Sequence, residues 1–116
     1  MSETKSSKST VAYTRQLGLI AFNAISAGKS YAEIASMPDM PGLDVLGQWL
    51  DKEPDFQRLV LLARADRAQS LAAEVGAIAD SVDVTQPAAV EKARLQCEVR
   101  MWLAGELWPS KYGLTK

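Results

Sequence analysis

Apolar residues recur at three- and four-residue spacing along most of the chain and nowhere alternate as they would in a strand. From Val11 the positions Ala12, Leu17, Ile20, Ala21, Ala24 and Ile25 predict a first helix. Gly28 ends it, glycine being the residue that most readily takes the left-handed conformation after a helix. Ser30, with Glu33 three residues on, has the pattern of a capping box. It predicts a short helix over Tyr31 to Ser36 that buries Ala32 and Ala35, with Ile34 nearby. Met37 to Gly42 holds two prolines and a glycine and breaks that helix. A third helix, Leu43 to Lys52, places Leu43, Leu46, Trp49 and Leu50 on one face and Asp44, Gln48 and Asp51 or Lys52 on the other. Trp49 therefore reads as a core residue, not as one that stacks on bases.

Glu53-Pro54-Asp55 punctuates again, with Asp55 as the candidate N-cap. From Phe56 to Val82 there is no proline, which allows ~40 Å of helix at 1.5 Å per residue. Asp83 to Gln86 forms a short loop, Pro87 suits a first helical position, and a second long helix follows to about Leu107. Two long helices joined so briefly form an antiparallel hairpin. The expected fold class is thus all-α. Residues 1–10 form a flexible tail, 11–53 a helix-turn-helix head, 54–108 a helical hairpin and 109–116 a C-terminal tail.

The hairpin is more apolar than a lone helix pair requires. Its last helix has one stripe of Val90, Ala93, Cys97, Met101, Ala104 and Trp108, and a second of Leu95, Val99, Trp102 and Leu103. Leu59, Val60, Leu61 and Leu62 cover every side of the preceding helix for one turn. One stripe suffices for packing on a hairpin partner, and large exposed apolar patches are uncommon in monomers. The surplus predicts self-association through Leu61, Leu71, Val75, Ile78, Leu95, Val99 and Trp102. The competing reading is that the extra stripe covers the small N-terminal domain.

Composition narrows the function by exclusion. Thirteen Lys and Arg stand against fourteen Asp and Glu, so nucleic acid is not bound through bulk positive charge, although a local basic patch stays possible. The chain has no histidine and one cysteine, Cys97. Ser-His and Cys-His nucleophile pairs, a zinc site and an intrachain disulfide are therefore out of reach. No enzyme activity, cofactor or metal is expected. No apolar run approaches the length of a membrane span, and MSETKSSKST lacks the apolar centre of a secretory signal, so the cytoplasm is the expected location. Gly28-Lys29-Ser30 has the ending of a P-loop, but Asn23 stands where that motif needs glycine and the preceding residues are helical.

A short helix, a tight turn and an amphipathic third helix read as a helix-turn-helix. The third helix is a poor DNA reader by composition, because Asp44 and Asp51 flank Gln48 and Lys52 and repel phosphate. Phosphate contacts then fall to Lys5, Lys8, Arg15, Lys29 and Lys52, with the acids of the hairpin further along the chain. Gln48 is the best candidate to read a base edge.

Met40-Pro41, then Val45, Trp49 and Leu50, then Pro54-Asp55-Phe56 and Ala63-Arg64-Ala65-Asp66, resemble the small terminase subunits of tailed bacteriophages. The end is similar too: Lys92-Ala93-Arg94-Leu95, Arg100, Trp102 and Pro109-Ser110-Lys111-Tyr112-Gly113. The resemblance covers roughly residues 15 to 113, and the Pro-x-Lys-Tyr-Gly ending after a Trp-bearing helix is its most specific part. It implies a DNA-packaging component that recognises the packaging site on double-stranded viral DNA. It further implies a closed ring of eight to ten copies and presentation of the DNA to the terminase large subunit, in the host cell cytoplasm and without a membrane. The pattern departs in the third helix, where relatives often carry basic residues and this chain has Asp44 and Gly47. From the residues alone a second class stays open, a helix-turn-helix transcriptional regulator dimeric through its hairpin.

Overall fold

The computed structural model describes residues 11–113, in six helices with no strand among them. They are α1 (Arg15–Ser26), α2 (Tyr31–Ala35), α3 (Leu43–Lys52), α4 (Pro54–Ser81), α5 (Pro87–Leu107) and α6 (Pro109–Tyr112). The expected tail, with Lys5 and Lys8, lies outside the described residues. The chain divides into two compact units between Ala63 and Arg64, inside α4. That is ten residues beyond the division read from the sequence, because Phe56, Val60 and Ala63 are buried in the core of the first unit.

Helix α1 begins four residues later than periodicity suggests. Thr14 is extended and its side chain accepts a hydrogen bond from the Leu17 N–H, which makes it the N-cap. Tyr13, freed from the helix, turns its ring edge-on to Trp49 and Phe56, with centroids 5.1 and 5.7 Å away. The other end closes as foreseen. Gly28 has φ of 96°, its N–H reaches the Ile25 carbonyl at 2.9 Å, and the Lys29 N–H reaches that of Ala24 at 2.9 Å. This pair of bonds is a Schellman motif, which needs a left-handed residue where Gly28 stands. Ser30 then caps α2 in a complete capping box with Glu33, at 3.1 and 2.7 Å. The Ser30 N–H bond to its carboxylate, and then the Ser30 hydroxyl, hold the Glu33 carboxyl below its ordinary range. Gly28-Lys29-Ser30 is thus the joint between two helices.

In α2 the buried residue is Ile34, fully enclosed, whereas Ala32 is exposed and Ala35 half-buried. With so little helix to bury, the larger side chain takes the core. In α3 the inward arc is Val45, Leu46 and Trp49; Leu43 falls outside it and is exposed. Trp49 is 5% exposed and lies edge-on to Phe56 at 5.4 Å, so it is structural as expected. The Gln57 amide donates to the Leu50 and Asp51 carbonyls at 2.7 and 3.2 Å and closes the end of α3. Helix α4 starts at Pro54, which has no N–H to leave unpaired at a first position. Asp55 therefore lies inside the helix, and its carboxylate accepts from Tyr13 and Arg15 instead of capping.

Contacts between α4 and α5 show their antiparallel course. The Arg64 guanidinium donates to the Glu106 carbonyl, Arg100 to the Glu74 carboxylate and the Cys97 thiol to the Val75 carbonyl. As the position on one helix advances, its partner on the other recedes. The loop between them is held by Asp83, whose carboxylate accepts from the Thr85 N–H and hydroxyl at 3.0 and 2.6 Å and is thereby kept more acidic than usual. Ala68, Leu71 and Ala104 form the core of the second unit, with Leu107, Trp108 and Tyr112 against it. Residues 109–112, expected as tail, form the helical turn α6 instead. It packs on α5 at Gly105, where a methyl group would come within 3.1 Å of the Tyr112 carbonyl oxygen.

Candidate functional site

The outward side of α3 carries Asp44, Gly47, Gln48, Asp51 and Lys52, all exposed. Gln48, expected to read a base edge, is exposed near the middle of α3. Lys29 is exposed in the joint before α2. Arg15 is different, because it pairs with Asp55. Its side chain is 61% exposed, so water screens the pair and Arg15 remains reachable with part of its charge offset. Arg58, on α4, is a further exposed cation of the first unit that the sequence reading passed over. Its signal was present: it is the lone basic residue between Phe56 and the four-residue apolar run that begins at Leu59.

The balance of charge also differs from expectation. Residues 1–63 hold six Lys and Arg against seven Asp and Glu, and residues 64–116 hold seven of each. The acids are not set apart in the hairpin, so neither half of the chain offers nucleic acid a bulk positive charge.

The second surface lies on the hairpin. Ala93 and Ala104 are buried and Cys97 half-buried against α4, so these members of the first stripe face the hairpin partner, whereas Val90 and Met101, expected with them, are exposed. Leu95, Val99, Trp102 and Leu103 point elsewhere, with Leu95 61% and Trp102 62% exposed. Leu61 and Leu62 are likewise exposed, at 68% and 54%. Val75 and Ile78 are half-buried. Leu71 does not belong with them. It is 3% exposed and sits in the hairpin's own core with Ala68 and Ala104, so it holds the pair together and is unavailable to a neighbour.

Beneath the end of α5, the Lys111 ammonium lies 4.8 Å from the Trp108 ring and 5.5 Å from that of Tyr112. Both distances suit cation–π attraction. The Lys-Tyr-Gly ending thus fastens α6 by ring packing and by the Gly113 N–H bond to the Pro109 carbonyl.

Three helices followed by an antiparallel hairpin with an exposed apolar stripe define an all-helical class. The family model described as bacteriophage Sf6, terminase small subunit-like, matches residues 13–116, and the chain belongs to that family. Crystal structures of three single-residue variants of the terminase small subunit gp1 of the bacterial virus Sf6 are similar to it. Each is 30% identical over 90% of this chain. They superpose with TM-scores of 0.63, 0.60 and 0.62 and are covered over 85%, 80% and 85% of their length. No curated protein matches the sequence significantly.

Proposed function

We propose that this chain is the DNA-recognition component of a phage packaging terminase, without catalytic activity or cofactor of its own. It assembles as a closed homo-oligomeric ring of eight to ten copies in the host cell cytoplasm. There it binds the packaging site on double-stranded viral DNA and presents that DNA to the terminase large subunit. The observation that carries the reading is the exposed stripe of Leu95, Val99 and Trp102 on a hairpin that packs its own core through Ala68, Leu71 and Ala104.

The ring supplies what one head lacks. A head with Lys29, Lys52, Arg58 and a half-engaged Arg15 neutralises only a few phosphates and binds weakly at physiological salt. Heads repeated round a ring act on one DNA at high effective concentration, so a modest patch suffices. Lys5 and Lys8 add affinity without sequence preference, and Gln48 reads a base edge. The test is DNA titration at two salt concentrations with the intact protein, a 1–10 deletion and the Val99→Glu/Trp102→Glu variant. Steep salt dependence, and collapse of affinity in the double variant with its heads folded, support the reading. Salt-independent binding, or equal affinity after the ring is broken, contradicts it.

A further inference from the structure

The outer side of α5 is a groove as well as a stripe. Leu95, Val99, Met101 and Trp102 line it with Tyr112 of α6, enclosing about 500 Å³, and Glu98 stands at its edge. In the other compact unit, one side of α4 presents Arg58, Leu61 and Leu62. These three share a helix face, since residues three and four apart are neighbours there. Leu61 and Leu62 are among the most exposed large apolar residues of the chain. Arg58 and Glu98 are both exposed, and neither forms an ion pair among the described residues.

Resting on the assembly reading above, we infer that the occupant of this groove is the Leu61–Leu62 ridge of a second copy, with Arg58 of that copy meeting Glu98. Two considerations choose this occupant. The charges are complementary, a cation on the ridge and, at the groove, the exposed Glu98, whose charge is felt by Arg94 but which has no close ion pair among the described residues; this favours one orientation and disfavours groove-to-groove docking, where like Glu98 charges would meet. The two patches are also different surfaces. A contact between unlike surfaces is heterologous: each copy uses its ridge on one neighbour and its groove on the other, the kind of contact from which rings are built when the rotation between copies closes. A groove-on-groove contact would be isologous and stop at a dimer.

The experiment is complementation between two full-length variants at exposed positions, Leu61→Arg (ridge lost) and Trp102→Glu (groove lost), with helicity checked by circular dichroism. Each variant alone should be monomeric by light scattering on a sizing column. Mixed, they should form a one-to-one dimer and nothing larger, through the intact ridge of one and the intact groove of the other. Arg58→Glu should weaken the ring, and Arg58→Glu with Glu98→Arg should restore it. If the unmodified protein is monomeric, the assembly reading itself fails. If it forms a ring that Leu61→Arg leaves intact, the ridge is not the occupant. A ring that survives Trp102→Glu shows that the groove serves a different ligand, a small apolar molecule or another protein, and overturns the inference.

Discussion

The Tyr13 hydroxyl donates a 2.6 Å hydrogen bond to Asp55 Oδ2, joining the extended segment before α1 to the first turn of α4. Partial burial, then this bond and the Asp55 charge, push the Tyr13 phenol from 10.0 to about 12. A raised pKa means that folding favours the neutral phenol. Its contribution is whole below pH 10.0 and is lost as pH rises towards about 12. Tyr13→Phe should cost about 1 kcal/mol near pH 8, the usual worth of one hydrogen bond. The gap from the unmodified protein should narrow as pH passes 10.0. Urea unfolding at pH 8 and pH 11 checks this; an unchanged gap contradicts the bond's role. Gly18→Ala should act in the same direction, since a methyl there meets the Tyr13 hydroxyl and the Leu59 side chain.

Trp49→Ala should destabilise the protein by roughly 3–5 kcal/mol, the cost of truncating a buried aromatic. Trp49 joins α3 to the Tyr13 and Phe56 rings, so its loss opens the head core. Denaturant unfolding followed by circular dichroism measures the change. A variant as stable as the original yet unable to bind DNA would make Trp49 a contact residue instead.

The helix starts and stops show how far the chain can be read without its structure. Gly28, Ser30 with Glu33, and Pro87 act through residues within five positions of themselves, and each does locally what its type predicts. The readings that failed depend on distant partners. Asp55 is a good N-cap by type, but Tyr13 and Arg15 claim its carboxylate from forty residues away. Leu71 and Leu95 are equally apolar, and only the position of Ala104 and Trp108 tells the core residue from the exposed one. That α5 carries two apolar stripes was legible because 3.6-residue periodicity groups residues into faces. Which face the partner helix would take was not, because α4 and α5 each carry apolar residues on more than one side.

Two glycines should respond in opposite ways. Gly28→Ala forces a side chain into the left-handed region and should cost roughly 1–2 kcal/mol. Gly47 lies inside α3 with nothing within 4 Å of an added methyl, so Gly47→Ala should stabilise the head by about 1 kcal/mol. Gly47 also borders Gln48 on the exposed side of α3. If that side meets DNA, the stabilised variant should bind more weakly, and thermal unfolding beside a DNA titration would show both. Higher stability with undiminished affinity would move the DNA interface elsewhere on the head.

The central claim is that the outward stripe of α5 joins copies of this chain into a ring. Light scattering on a sizing column, at micromolar protein, tests it most directly. The account predicts a mass of eight to ten 12.6 kDa copies for the unmodified protein. It also predicts a fall to small species for Val99→Glu/Trp102→Glu with helicity unchanged, because the contact would then have to bury unpaired carboxylates. An unmodified protein that runs as a monomer or a simple dimer would contradict it.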